Sequence, residues 1–218
     1  MKIFSKARTG YSSNDIYRFL LPKGRVLDIG CGEGRHATYL KQEGISVIGT
    51  DVSIGLLSKV SPDIERVQGD GCHLPFESNI FDSVLCSEVL EHLVTPDECL
   101  DEIYRVLKNW GTACFTTPCL NIPIKILVPI YRKLARLDIE HIRKEHLHVF
   151  STKDLLRMLS KSNFEIVSIK YVKFFCIPER SLGISFNKLD SILSNISSKI
   201  PSHYFAAGVW IKVRVNKA

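Results

Sequence analysis

Several features that mark whole classes of protein are missing from this sequence. The seven cysteines are odd in number and include no Cys-x-x-Cys pair, which argues against a disulfide framework and a structural zinc site and predicts a reducing compartment. No apolar stretch follows the basic residues of the first ten positions, and the apolar runs elsewhere are too short to cross a bilayer. Internal repeats and low-complexity tracts are also lacking. These absences predict a soluble, cytoplasmic protein.

What is present is the composition of an ordinary globular domain. The 218 residues are 45% hydrophobic and 24% charged, enough for one α/β domain with a buried core, and we expect a single domain over residues 1–218. The formal net charge of +6 is a mild excess over this length, so charge alone selects no anionic partner.

The first half of the chain alternates strand-like and helix-like segments, which is typical of a parallel sheet covered by helices on both faces. Thr95 precedes Pro96 and Ser151 precedes Thr152, so each is expected to cap a helix. The predicted strands are 25–30, 46–51, 64–69, 81–87, 111–117, 164–172 and 205–215, and the predicted helices are 35–43, 53–59, 96–108, 151–162 and 189–198.

Residues 119–148 interrupt this alternation and are predicted to be an insertion over the sheet. Within them, residues 121–137 are apolar and basic, a composition that suits a lid over an apolar substrate or a weak contact with a membrane surface. Residues 174–186 are a second apolar candidate. Ordinary core-covering segments explain both equally well.

Three glycines, Gly30, Gly32 and Gly34, stand where the first strand ends and a helix begins. Glycines there let the backbone turn tightly and approach a ligand at the helix N-terminus, as dinucleotide-binding folds also do. The dinucleotide fingerprint, however, places its third glycine where this chain has Arg35. Asp28 just before the turn would repel a pyrophosphate and attract an ammonium group. The turn therefore favours a cationic, amino-acid-like ligand.

Two further carboxylates follow the next strands. Asp51 ends the second strand, where it is placed to accept hydrogen bonds from both hydroxyls of a ribose. Asp70 follows the third strand, within reach of an adenine amino group. The three aspartates together indicate an adenosine-containing cofactor with a positively charged end.

In their order and spacing, VLDIGCGEG, GTDVS, QGDGCHLPF and FDSVLCSEVLEHL resemble the successive motifs of the class I S-adenosylmethionine-dependent methyltransferases of the type 11 kind. The resemblance covers roughly residues 24–118. It implies a Rossmann-like α/β fold: a seven-stranded, mostly parallel sheet with the last strand antiparallel and helices on both faces. The residues that it assigns to the cofactor S-adenosylmethionine are Asp28, Gly30 and Gly32 for the methionine part, Asp51 and Val52 for the ribose, Asp70 and Gly71 for the adenine, and Ser87 for the sulfonium.

The sequence after the fourth strand, SEVLEHL, holds candidate catalytic and metal-binding residues. Two carboxylates and an imidazole, Glu88, Glu91 and His92, are spaced so that one helical turn would face them toward a divalent cation. Similar E-x-x-E-H sequences occur in metal-dependent O-methyltransferases, where the metal lowers the pKa of the acceptor hydroxyl. His92, His146 and His148 are candidate bases, although packing or capping explains each histidine as well. Without a metal, the glutamates would simply face solvent.

The leading functional hypothesis is methyl transfer from S-adenosylmethionine to a small-molecule or lipid-like acceptor at oxygen or carbon, with alignment as the main catalytic device. One rival is a metal-assisted 2′-hydroxyl RNA methyltransferase whose basic insertion grips phosphates. Another is a catalytically silent cofactor-binding protein that keeps the fold. A dehydrogenase is the weakest alternative because of Asp28 and Arg35.

Overall fold

The computed structural model describes residues 13–119, 146–173 and 206–217. Among these residues, no helix is both long enough and apolar enough to cross a membrane. The strands are β1 Arg25–Ile29, β2 Ser46–Asp51, β3 Glu65–Gln68, β4 Phe81–Ser87, β5 Leu107–Pro118, β6 Phe164–Lys173 and β7 Ala206–Val215. The helices are α1 Ser13–Leu20, α2 Arg35–Gln42, α3 Ile54–Leu57, α4 Pro96–Val106 and α5 Thr152–Lys161, with a 3-10 turn at Leu90–His92.

The seven strands form one sheet in the order β3-β2-β1-β4-β5-β7-β6. Neighbours from β3 to β5 pair in parallel, whereas β7 pairs antiparallel with both β5 and β6. β6 therefore runs with the first five strands, and only β7 is reversed. This arrangement confirms the predicted sheet, including its single antiparallel strand.

Both faces of the central strands β1 and β4 are buried, and successive residues alternate between the two faces. In β4 and β5, Cys86 and Phe115 pack on the face that α4 and α5 cover, while Leu85 and Cys114 pack on the opposite face with α1. Trp210 of β7 joins the α1 side, with its indole 5.7 Å from the ring of Phe19. Helices on both faces leave the carboxyl edge of the parallel strands as the open surface.

Most element boundaries agree with the predicted ones to within a few residues, with two exceptions. β5 begins at Leu107, directly after α4, and so is longer than predicted, because Leu107 already pairs with Phe81 before the register shift that leads to the Ser83–Thr112 pair. Trp110, within this shift, has a left-handed conformation. α1 was not predicted; its buried side chains are Ile16 and Leu20.

Several predictions fall outside the described residues. These are the apolar and basic stretch 121–137, the apolar segment 174–186 and the helix 189–198. Of the predicted insertion 119–148, only Cys119 and residues 146–148 are described. Cys119 forms an isolated bridge with Phe150.

Candidate active site

A cleft of about 260 Å³ opens at the carboxyl edge of the parallel strands. Five of the residues expected to bind a cofactor line it: Gly30, Asp51, Val52, Asp70 and Gly71. The lining is completed by Ile29, Gly69, Glu88, Val89, His92 and Leu93. Residues from the ends of β1, β2, β3 and β4 thus meet at one opening, where open α/β sheets bind their ligands.

The glycine-rich turn after β1 is held in a conformation that favours glycine. Gly30, Gly32 and Gly34 have φ angles of +63°, +56° and +78°. A Cβ at Gly30 would lie 2.4 Å from Cγ2 of Val89, so that position has no room for a side chain. At Gly32, in contrast, a Cβ would meet nothing within 4 Å. The turn therefore presents bare backbone to open space at Gly32.

Asp28 lies beneath this turn and is 1% exposed. Its Oδ2 atom is buried and has no hydrogen-bond partner among the described residues. Burial raises the pKa of Asp28 to about 7, against the smaller opposing effects of a backbone hydrogen bond from Ala37 and the charge of Arg35. A buried carboxylate with an unpartnered oxygen is an arrangement that a cationic group would complete.

Asp51 fixes the turn against β2 with both of its carboxylate oxygens. Oδ2 accepts a hydrogen bond of 2.9 Å from the Gly32 amide, and Oδ1 accepts one of 2.9 Å from the Ser53 amide. Each carboxylate oxygen keeps a further lone pair, so ligand hydroxyls can still bind. Val52 beside it is 63% exposed.

Asp70 and Gly71 form the far wall of the cleft. The Oδ1 atom of Asp70 accepts a hydrogen bond of 2.9 Å from the Cys72 amide, which closes a tight local turn. A Cβ at Gly71 would lie 3.3 Å from Cγ2 of Ile29 and 3.4 Å from Sγ of Cys99, so the backbone packs closely on β1 and α4.

The side chains of Ser87 and Glu88, at the end of β4, contact Thr116 of β5. Ser87 Oγ lies 2.8 Å from Thr116 Oγ1, which in turn donates to Glu88 Oε1 at 3.0 Å. The Glu88 amide donates to the Thr116 carbonyl at 2.8 Å, and its φ of +56° is the left-handed conformation that non-glycine residues seldom adopt. Glu88 lines the cleft, whereas Ser87 does not.

The predicted grouping of Glu88, Glu91 and His92 on one helical turn differs from what the structure shows. The backbone is left-handed at Glu88 and continues into the 3-10 turn, so the three side chains do not share the face of an α-helix. The ligand-type atoms of Glu91 and His92 instead come together with those of His146, all within 4.8 Å of one another, and Glu88 is not a member of this group.

Glu91 is the buried member of this group, at 1% exposure. Thr117 Oγ1 donates to its Oε2 atom at 3.0 Å, while Oε1 has no hydrogen-bond partner among the described residues. Burial, with a smaller contribution from the Glu88 charge, raises the pKa of Glu91 to about 8. The rings of His92 and His146 lie edge to face with centroids 4.9 Å apart.

The segment 146–150 reaches the site through backbone hydrogen bonds. The amides of Leu147 and His148 both donate to the Glu91 carbonyl, at 2.9 and 3.0 Å. His148 stacks on Phe150 at 5.4 Å, and its buried Nε2 atom has no hydrogen-bond partner among the described residues. Of the three candidate bases, only His92 lines the cleft.

Sequence reasoning missed six residues of the site. Ile29, Gly69, Val89 and Leu93 line the cleft, and Thr116 and Thr117 of β5 hold the two glutamates. No local signal in the sequence links the threonines to the glutamates.

Residues 27–115 match the family model described as a methyltransferase domain. A demethylmenaquinone methyltransferase from Paenarthrobacter aurescens is 34% identical over 116 residues, which cover 50% of this chain and 43% of that protein. A sterol 24-C-methyltransferase from Schizosaccharomyces pombe is 34% identical over 124 residues, covering 52% and 33%. The aligned parts thus span less than half of either relative.

The fold is shared along nearly the whole chain with solved structures. A SAM-dependent methyltransferase from Archaeoglobus fulgidus superimposes with a TM-score of 0.66 at 22% identity, covering 93% of this chain and 92% of that one.

Proposed function

We propose that this chain, whose residues 27–115 match a methyltransferase domain, transfers a methyl group from S-adenosylmethionine to a small, lipid-like acceptor, at oxygen or carbon. The cofactor carries that methyl on a positively charged sulfur, so the protein has mainly to align an acceptor and exclude water.

The observation that carries this proposal is the unpartnered, buried oxygen of Asp28 beneath the glycine-rich turn. The ammonium group of the cofactor's methionine part would supply the missing partner, and the open space at Gly32 would admit the ligand backbone. A pyrophosphate would meet a carboxylate at the same place, so the donor set suits S-adenosylmethionine better than a dinucleotide.

The remaining cofactor contacts follow from the order of the strands. Asp51 and Val52 would hold the ribose, and Asp70 and Gly71 the adenine, at the walls of the cleft. Ser87 would act on the sulfonium only indirectly, through its contact with Thr116 and Glu88. The contact of Ser87 with Thr116, and of Thr116 with Glu88, orients the Glu88 carboxylate at the cleft.

Apolar side chains at the cleft support a lipid-like acceptor. Val89 and Leu93 line it, and Val94, Leu147 and Val149 are 79%, 61% and 51% exposed on the two segments that meet at Glu91. Side chains of this kind bind apolar ligands and contribute little to binding phosphates. The names of the relatives, which act on a quinone precursor and a sterol, agree with such an acceptor.

Deprotonation of an acceptor hydroxyl or ring carbon needs a base near the cleft. His92 and Glu88 line the cleft, and His146 contacts His92. We assign the base to His92, supported by His146, and give His148 a packing role on Phe150.

An alternative to a histidine base is a divalent cation that activates the acceptor. The convergence of Glu91, His92 and His146 favours this alternative. One carboxylate and two imidazoles are ligands that transition metals accept, and the unpartnered Oε1 of Glu91 fits a ligand role. These residues would hold the metal, which supplies Lewis acidity toward an acceptor hydroxyl. Such a site would serve a catechol-like lipid or an RNA 2′-hydroxyl equally.

The test is transfer of labelled methyl from S-adenosylmethionine to three acceptors: a short-chain demethylmenaquinone, a simple catechol and a short single-stranded RNA. Each is assayed with manganese and with excess chelator. We expect label in the quinone or catechol, and little in RNA. His146→Ala should lower turnover while His148→Ala should not, because only His146 joins the Glu91–His92 group.

Label in RNA alone would overturn the lipid-like acceptor. Equal rates with chelator and with manganese would rule out a role for a metal. Full turnover in both His92→Ala and His146→Ala would rule out His92 as the base. If calorimetry detects no binding of S-adenosylmethionine, the proposed function is wrong.

A further inference from the structure

The loop that carries Asp70 and Gly71 runs from the end of β3 to Phe81, across residues 69–80. Little regular structure supports it: a bridge between Asp70 and His73 is its only pairing among the described residues. It nevertheless forms one wall of the cleft. The amides of Gly69, Asn79 and Ile80 donate to the carbonyls of Asp51, Arg105 and Val106 and so fix the two ends of the loop. The stretch between these ends is held by side chains of α4.

Arg105, near the end of α4, supplies most of these contacts. Its Nη1 atom donates to the Phe76 carbonyl at 2.8 Å and its Nη2 atom donates to the Leu74 carbonyl at 3.0 Å. The other edge of the guanidinium binds both oxygens of Glu102, with Nε–Oε1 at 2.6 Å and Nη2–Oε2 at 2.7 Å. A planar fork that is held on one edge by a carboxylate is fixed in direction.

Glu102 also binds the same loop, through the amide of Leu74. Its Oε2 atom accepts a hydrogen bond of 2.7 Å from the Leu74 amide. Leu74 is thus held at both its N–H and its carbonyl by one ion pair, and its side chain is buried. The hydrogen bond from Arg105 is the largest influence on the pKa of Glu102 and holds it below the usual value, so the pair stays charged.

Leu74 lies only four residues from Asp70 at the cleft, and local hydrogen bonds connect the two. His73 donates its amide to the Asp70 carbonyl at 3.0 Å, and Cys72 donates its amide to the Asp70 side chain. Cys72 Sγ also lies 3.5 Å from the carbonyl of Thr95, which directly precedes α4. Both ends of α4 therefore hold the turn that presents Asp70 and Gly71.

We infer that Glu102 and Arg105 are positioning residues for the cofactor, and that they set the affinity for its adenosine half through the Asp70–Gly71 turn. The inference rests on the proposed function. The methionine half is governed separately, by Asp28 and the glycine-rich turn, which contact neither residue of the pair. The affinity for the cofactor should therefore depend on two parts of the site that act independently, one for the adenosine half and one for the methionine half.

Two ligands separate these parts: S-adenosylhomocysteine, and 5′-methylthioadenosine, which lacks the amino-acid group. Dissociation constants are measured by calorimetry on the full chain. Arg105→Lys, which loses the fork, and Glu102→Gln should each weaken both ligands by the same factor, about tenfold. Asp28→Asn should weaken S-adenosylhomocysteine and leave 5′-methylthioadenosine unchanged.

Arg214→Lys is the matched control, because Arg214 makes a bidentate pair with Glu165 on β6 and β7, away from the cleft. It should leave both constants unchanged. Unfolding temperatures are recorded for every variant, and Glu102→Gln keeps the test open if Arg105→Lys does not fold.

Lower unfolding temperatures in Arg105→Lys and Glu102→Gln, with unchanged constants for both ligands, would show that the pair only stabilises the fold. A loss confined to S-adenosylhomocysteine would also overturn the inference. If the unmodified chain binds neither ligand, the proposed function fails as well, whereas normal binding by both Arg105→Lys and Glu102→Gln removes this inference alone.

Discussion

Gly32 and Gly44 share a backbone conformation but differ in their surroundings. Their φ angles are +56° and +78°, and a Cβ at either position would meet nothing within 4 Å. Gly44 lies in the turn between α2 and β2, whereas Gly32 lies in the turn that Asp51 holds. Substituting each of these two glycines therefore distinguishes the free-energy cost of backbone strain from the loss of ligand binding.

We predict that Gly32→Ala and Gly44→Ala each lower the free energy of unfolding by about 1 kcal/mol, the cost of a left-handed alanine. Only Gly32→Ala should abolish binding of S-adenosylhomocysteine, because its methyl group would occupy the ligand's space. Chemical denaturation and calorimetry measure the two effects. Similar binding by both variants would contradict a ligand at Gly32.

Asp28 makes cofactor binding depend on pH. With its pKa raised to about 7, the free protein holds a proton on Asp28 at pH 6 that an ammonium ligand must displace. The affinity for S-adenosylhomocysteine should therefore rise about tenfold from pH 6 to pH 8. In Asp28→Asn, affinity should be weak and nearly independent of pH, which titrations at both pH values would reveal.

The sign for stability is the opposite. Between the unfolded value of 3.8 and about 7, the folded state binds the proton more strongly, so this group's contribution to stability is present at low pH and lost as pH rises through about 7. Asp28→Asn should consequently stabilise the free protein at pH 8. A lower unfolding temperature than that of the unmodified chain would contradict the buried-charge account.

At this scale, the sequence predicted the residues whose chemistry is local. Asp51 and the glycines follow strand ends within a short motif, so their meeting could be foreseen. The partners Thr116 and Thr117 could not, because they reach Glu88 and Glu91 from a strand more than twenty residues further along the chain.

Two helix caps that look alike in sequence differ in structure. Ser151 forms a complete capping box with Asp154 at the start of α5. Thr95 precedes α4 in the same way, but its side chain caps no backbone amide and donates to Glu98 at 2.8 Å. A cap residue in sequence indicates where a helix begins without showing which hydrogen bonds form there.

We expect Ser151→Ala to lower the free energy of unfolding by about 1 kcal/mol. Thr95→Ala should cost less than about 0.5 kcal/mol, as for a surface residue that leaves no backbone donor exposed. Urea unfolding of the two variants makes the comparison. Equal losses would mean that α4 also depends on its threonine.

The turn after β4 shows why the predicted metal ligands were grouped differently. Spacings of three and four residues place side chains together only on an α-helix. Here the backbone is left-handed at Glu88 and tight over Leu90–His92, which frees Glu88 toward the cleft. His146 takes the third place because the Glu91 carbonyl binds the amides of the segment behind it, a contact that spans more than fifty residues and leaves no local signal.

On the scale of the molecule, the parallel half was the more predictable. Strands β1 to β5 largely alternate with helices along the chain, so their existence and parallel pairing could be predicted from periodicity, whereas their order in the sheet was not predicted. The reversed direction of β7 followed from the family resemblance alone, and its place between β5 and β6 was not predicted, because periodicity shows that a strand exists without showing its neighbours.

The location of β7 also has a consequence for how the chain is made. Residues 206–215 enter between two strands synthesised earlier, and Val209, Trp210, Ile211, Val213 and Val215 are all almost completely buried there. On a ribosome, β1 to β5 can assemble while the edge of β5 is still unpaired and apolar. Until β7 emerges, that edge is open to pairing with other nascent chains.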